Sequence, residues 1–131
     1  QMEEACELAA GSDVAVVVLG GSSSRFEEVN YLENGAADIS DKITMDCGEG
    51  LDCSDLCIPE IQLELLREVG KVCKKVISVV ICGRPMILTD VCEHSDVVLL
   101  SFYPGPCGGQ ALAEIMKGLV NPSGRLPEAG R

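Results

Sequence analysis

Three strongly apolar runs, two of them broken by a single serine, constrain this chain more than any other feature: 14–19 (Val-Ala-Val-Val-Val-Leu), 76–81 (Val-Ile-Ser-Val-Val-Ile) and 97–102 (Val-Val-Leu-Leu-Ser-Phe). A strand with one wet face alternates apolar and polar residues, whereas a continuous apolar run suits a strand covered on both faces of a parallel sheet. Parallel strands need a crossover between them, commonly a helix. The intervening segments fit that demand. Residues 59–73 place Ile61, Leu65, Val69 and Cys73 four apart, with Leu66 widening the stripe. Pro59 suits the first turn, Glu60, Glu64 and Glu68 lie opposite the stripe, and Lys71, Lys74 and Lys75 gather at the negative end. A helix is expected over 3–10, ending at Gly11, a short one over 86–93, and a last one after Gly109 with Leu112, Ile115 and Met116 on its apolar side.

The order α-β-(long loop)-α-β-α-β-α predicts right-handed crossovers and an α/β fold, a three-layer α/β/α sandwich on a mainly parallel sheet. A length of 131 residues fits one domain or part of one, and we read 1–131 as a single partial α/β sandwich domain. Three strands are few for such a sheet, and its edges would be open and prone to pairing. Either the chain is part of a larger sheet, or it covers its edges by forming a homo-oligomer.

Composition removes several functions. The net charge of −11 is the wrong sign for a phosphate-backbone binder, and 3% aromatic residues without Trp offers few stacking surfaces, so no nucleic-acid partner is expected. No apolar run approaches the roughly 20 residues of a membrane span, and no basic segment followed by an apolar one opens the chain, so neither membrane nor signal peptide is expected. The eight cysteines (6, 47, 53, 57, 73, 82, 92, 107) form no C-x-x-C, and the single His94 completes no zinc-finger pattern. They read best as small apolar residues in a reducing compartment, which favours the cytoplasm. Cys47, Cys53 and Cys57 are the weak candidates for a soft-metal site, His94 is read as ending the short helix rather than as a ligand, and no cofactor is implied.

The stretch 21–57 breaks the pattern. It has no sustained period and carries nine acidic residues against Arg25 and Lys42, so −7 of the net −11 lies here. Long connections in compact domains are commonly functional, which makes this acidic loop the first place to look for chemistry. Gly20-Gly21-Ser22-Ser23-Ser24 at its start lacks the lysine and spacing of a phosphate loop and reads as a strand-end turn. Arg84, before Pro85, is balanced between a carboxylate partner for the acidic loop and a solvated strand end.

Four blocks in order carry a resemblance: Met45-Asp46-Cys47-Gly48-Glu49-Gly50-Leu51-Asp52 with Asp55-Leu56 and Pro59-x-x-Gln62; Ile81-Cys82-Gly83-Arg84-Pro85; 103–111 (Tyr-Pro-Gly-Pro-Cys-Gly-Gly-Gln-Ala); and Gly118-x-x-Asn121-Pro122-Ser123-Gly124-Arg125-Leu126-Pro127. Together they resemble the second, C-terminal α/β domain of family-3 glycoside hydrolases, the retaining β-glucosidases and β-xylosidases. The resemblance implies a six-stranded sheet, a carbohydrate substrate, and a preceding barrel domain that supplies the carboxylate nucleophile and is missing from this chain. Glu49 matches the family's acid/base position, and Asp52 and Arg84 are the substrate-binding candidates that accompany it.

The chemistry explains the residue types. Retaining hydrolysis needs one carboxylate to attack the anomeric carbon and another to protonate the leaving oxygen and later deprotonate water, with the pair about 5–5.5 Å apart. Gly48 and Gly50 would let the backbone bring Glu49 close to a sugar, and Asp46, Asp52 and Asp55 would raise its pKa toward that of a proton donor. The chain departs from the family where Asp52-Cys53 replaces Asp-Arg, where Cys82 and Cys107 replace small or polar residues, and where 126–131 lacks the usual aromatic strand. The expectation is a fragment of a retaining β-glycosidase that is inactive alone. The rival expectations are a self-associating α/β module and a cysteine-rich metal binder.

Overall fold

The computed structural model describes residues 1–22, 31–35 and 52–126. Its elements run α1 (Met2–Ala10), β1 (Ala15–Gly20), α2 (Glu60–Val72), β2 (Val76–Ile81), α3 (Thr89–Glu93), β3 (Val97–Leu100) and α4 (Gly108–Met116). The three apolar runs are the three strands, and they pair in parallel in the order β1-β2-β3. Among the described residues the sheet has these three strands, against the six implied by the resemblance. Register aligns Val17 with Ser78 and Leu19 with Val80, while Ser78 and Val80 align with Val98 and Leu100. Because side chains alternate along a strand, these residues share one face.

That face carries the core. Val17, Leu19, Val76 and Val80 cluster with Leu63, Leu66 and Val69 of α2, Ala9 of α1, Val91 of α3, and Ile58, Cys82 and Leu88. Ser78, the buried polar residue of this core, shares a hydrogen bond of 2.7 Å between its Oγ and that of Ser95. On the other face, Val16, Val18 and Val97 are 48%, 61% and 46% exposed, and only the central Val79 is fully buried. The expected cover on both faces therefore holds at the middle strand but not at β1. Its apolar run reads in the folded chain as an alternation of buried and exposed valines.

The α2 helix also differs from its expected face. Leu63, Leu66 and Val69 are buried, whereas Ile61 is 65% exposed and Leu65 only half-buried. The i, i+3, i+6 row meets the sheet and the i, i+4 row lies along its margin, so the stripe is rotated from the one read in sequence. Pro59 is the N-cap rather than a helical residue, its carbonyl accepting from Gln62 and Leu63 N–H. Gly11 follows α1 in a right-handed conformation, and Ser12 Oγ donates to Leu8 O to close that helix. The short third helix begins at Thr89 rather than at 86, because Ile87 is drawn into a bridge with Cys57. The third strand ends at Leu100, before Ser101 and Phe102.

Candidate active-site rim

Parallel pairing brings the carboxyl ends of all three strands to one rim, where open α/β sheets bind their ligands. There β1 ends in Gly20-Gly21-Ser22, β2 passes into Cys82-Gly83-Arg84, and β3 into Ser101-Phe102-Tyr103. The ladder continues into the rim, since Gly21 N–H donates to Ile81 O at 3.0 Å and Ser101 N–H to Val80 O at 2.9 Å.

Local sequence explains the shape of this edge. Gly20 holds φ 132°, and a Cβ there would overlap the Ile81 carbonyl, so the turn out of β1 requires glycine. Gly83 leaves room for the Tyr103 ring, whose far end lies where a Cβ would project. Phe102 takes a left-handed φ of 50°, a strained backbone for a bulky residue, and such strain concentrates at functional edges. Cys82 is buried in the core, so it is part of the packing rather than of the rim surface.

Gln62 links two elements at the rim. Its side-chain oxygen accepts from Gly20 N–H at 2.8 Å, and its side-chain NH₂ donates to Gly20 O at 2.9 Å. A single amide thus satisfies both backbone groups of the residue where β1 ends. The sequence carried Gln62 and Tyr103 within the recognised blocks but gave no sign of these contacts, because both join segments distant along the chain.

The residues singled out in sequence separate. Glu49 and Cys47 lie outside the described residues. Asp52 is exposed, and its Oδ1 accepts the N–H of Cys53 at 2.8 Å. Asp55 does the same for Cys57 N–H at 2.8 Å, which holds the Asp55 carboxyl below the ordinary carboxylate range; in return, the neighbouring carboxylate pushes the Cys57 thiol up. Cys53 Sγ donates to Asp55 O. These are turns returning the chain toward Ile58, which is fully buried. Arg84 is half-buried directly after β2, with its Nε inside the protein.

Metal-type side chains meet elsewhere. Asp90, Glu93 and His94 bring their ligand atoms within 4.8 Å of one another, but Asp90 Oδ2 is already held by Arg67 Nη2 at 2.6 Å. His94 ends α3, its N–H donating to Asp90 O. Cys53 and Cys57 take no part in that group, and the described cysteines are free thiols. Two concave surfaces lie on the described residues. One of about 450 Å³ sits at the amino ends of β2 and β3, away from the rim, and one of about 720 Å³ runs along β3 between Leu88, Leu112, Ile115 and Leu126 and reaches the rim at Ser101, Phe102 and Pro104. No helix among the described residues is long and apolar enough to cross a membrane.

A parallel sheet with crossover helices and glycine-shaped loops at its carboxyl rim defines an α/β domain of the kind that presents binding loops at one edge. Comparison gives the family. The model for the glycosyl hydrolase family 3 C-terminal domain matches residues 1–129, and the chain belongs to that family. It is 37% identical over 127 residues to the lysosomal beta glucosidase of Dictyostelium discoideum, covering 96% of this chain and 13% of that protein. It is 33% identical over 123 residues to the beta-xylosidase of Formosa agariphila, covering 94% of this chain and 14% of that protein. The crystal structure of a beta-glucosidase from Listeria innocua in complex with gluconolactone superposes with a TM-score of 0.74 at 25% identity, over 95% of this chain and 14% of that one. The chain therefore spans about one-seventh of the length of these relatives.

Proposed function

We propose that this chain is the acid/base-bearing domain of a retaining β-glycosidase acting on terminal β-glucosides or β-xylosides, and that it is inactive without a barrel domain. The observation that carries the reading is the family match across residues 1–129, which includes the Gly48-Glu49-Gly50 motif. The fold supports it, because the connection holding that motif leaves β1 at the rim and returns at Cys57, which bridges Ile87 in the segment that follows Arg84. In this mechanism Glu49 protonates the glycosidic oxygen as the bond to the anomeric carbon breaks, while a carboxylate of the barrel forms the covalent intermediate. Glu49 then removes a proton from the water that releases the sugar. Arg84 and Asp52 serve the sugar from the flanking loops.

The experiment is hydrolysis of an aryl β-glucoside by residues 1–131 alone and by the full-length chain carrying this domain and its barrel. The expected result is no turnover by the domain alone, and a loss of about 10²–10⁴ in the full-length Glu49→Gln variant, the usual contribution of a general acid/base. Turnover by the domain alone that Glu49→Gln abolishes overturns the two-domain reading.

The exposed Val16, Val18 and Val97 favour a second reading of the isolated domain, in which it self-associates through its uncovered sheet. Light scattering over a dilution series reads this directly, and a monomer at every concentration excludes it.

A further inference from the structure

We propose that Gln62 is a positioning residue for the acid/base chemistry: it ties the two stems of the β1–α2 connection together and so fixes where the segment bearing Glu49 leaves and rejoins the rim. This rests on the reading of Glu49 given above.

The argument starts from the geometry of the two stems. Gly20 is the last residue of β1, and Gln62 lies in the first turn of α2. They are 42 positions apart, yet the Gln62 amide makes both a donated and an accepted hydrogen bond to the backbone of Gly20, at 2.9 and 2.8 Å. Both bonds are half-buried, so each is worth more than at an open surface. On the outgoing stem, Gly20 is further confined by its positive φ and by the Ile81 carbonyl, and Gly21 is bonded to the same carbonyl. On the returning stem, Ile58 is buried, Leu56 O accepts from Ile87 N–H, and Pro59 O accepts the first N–H groups of α2. A planar amide with one donor and one acceptor pairs with both backbone groups of one residue; neither a hydrocarbon nor a carboxylate of similar size does. Each stem is thus anchored to its own neighbours, and one side chain, that of Gln62, joins the end of β1 to the start of α2. A misplacement of about 1 Å at a reacting group costs on the order of a hundredfold in rate, so such a link bears on the chemistry although it touches no substrate.

The test compares Gln62→Leu, Gln62→Glu and Glu49→Gln in the full-length chain carrying the barrel, with phenyl and 2,4-dinitrophenyl β-glucosides. The measured quantity is kcat/KM, which reports the step that expels the aglycone. Dinitrophenolate leaves with little protonation, whereas phenolate needs the acid. If Gln62 positions that acid, Gln62→Leu lowers kcat/KM on the phenyl glucoside by about a hundredfold and on the activated one by far less, the pattern set by Glu49→Gln. Gln62→Glu keeps the acceptor for Gly20 N–H but opposes Gly20 O, and it gives the same selective loss if the leucine variant does not fold. Equal losses on both substrates with a lowered melting temperature, alongside a selective Glu49→Gln, overturn the role of Gln62 and leave that of Glu49 standing. A Glu49→Gln variant with no leaving-group dependence overturns the acid/base reading itself, and the role of Gln62 with it.

Discussion

Asp96 shows how much one side chain can fix. Its Oδ2 accepts Val76 N–H at 2.9 Å, its own N–H donates to Val76 O at 2.9 Å, and Lys75 Nζ donates to its Oδ1 at 2.7 Å. It therefore sets the register at which β3 enters beside β2. The Lys75 ammonium, with the Val76 N–H second, holds the Asp96 carboxyl below the ordinary carboxylate range. A carboxylate whose pKa is lower folded than unfolded stabilises the fold above its unfolded value, about 3.9, and loses that contribution as pH falls through the folded value. Asp96→Ala should accordingly melt below the parent at pH 7, with the gap closing on the acid side of pH 4. A pH series of thermal melts checks it, and a gap constant down to the acid limit contradicts it.

At the scale of the element, α2 separates what periodicity conveys from what packing decides. Its existence, ends and charge gradient follow from Pro59, the glutamates and the lysines. Its buried face does not, because the sequence offers two overlapping rows, Ile61-Leu65-Val69 and Leu63-Leu66-Val69, and only the crossing onto β1 and β2 selects one. The two rows make opposite mutational demands. Leu66→Ala, at a position 1% exposed, should cost about 2–5 kcal/mol, a large share of a typical domain's stability. Ile61→Ala, at 65% exposure, should stay within about 0.5 kcal/mol. Chemical denaturation of both variants distinguishes the faces; a larger loss at Ile61 would reverse the assignment. The strands were easier to read, since short, strongly apolar runs between helical segments admit little else, whereas the Gly83–Tyr103 packing and the Gln62–Gly20 pair join residues far apart in sequence and left no periodic trace.

The whole molecule is asymmetric across its sheet. One face is sealed by α2 with α1, while the other leaves Val16 and Val18 of β1 48% and 61% exposed. Polar substitution there should improve the behaviour of the isolated domain without unfolding it. Val16→Thr with Val18→Lys is expected to shift light scattering of residues 1–131 toward monomer while the melting temperature changes little, because neither side chain belongs to the core. A drop in stability comparable to that of Leu66→Ala would show that this face is covered in solution.

By itself, the sequence determined that the chain makes three parallel strands with helical crossovers, and its ordered glycine-proline blocks carried the family to which it belongs. These features are local: hydrophobic runs, turn chemistry and spacing act over a few residues and survive without knowledge of partners. Only the tertiary structure decided which helix face is buried, which sheet face is left open, and that Gly20 and Gln62 close one connection. Those outcomes depend on residues far apart in the chain meeting in space, and the energy that selects them is released only when the elements pack.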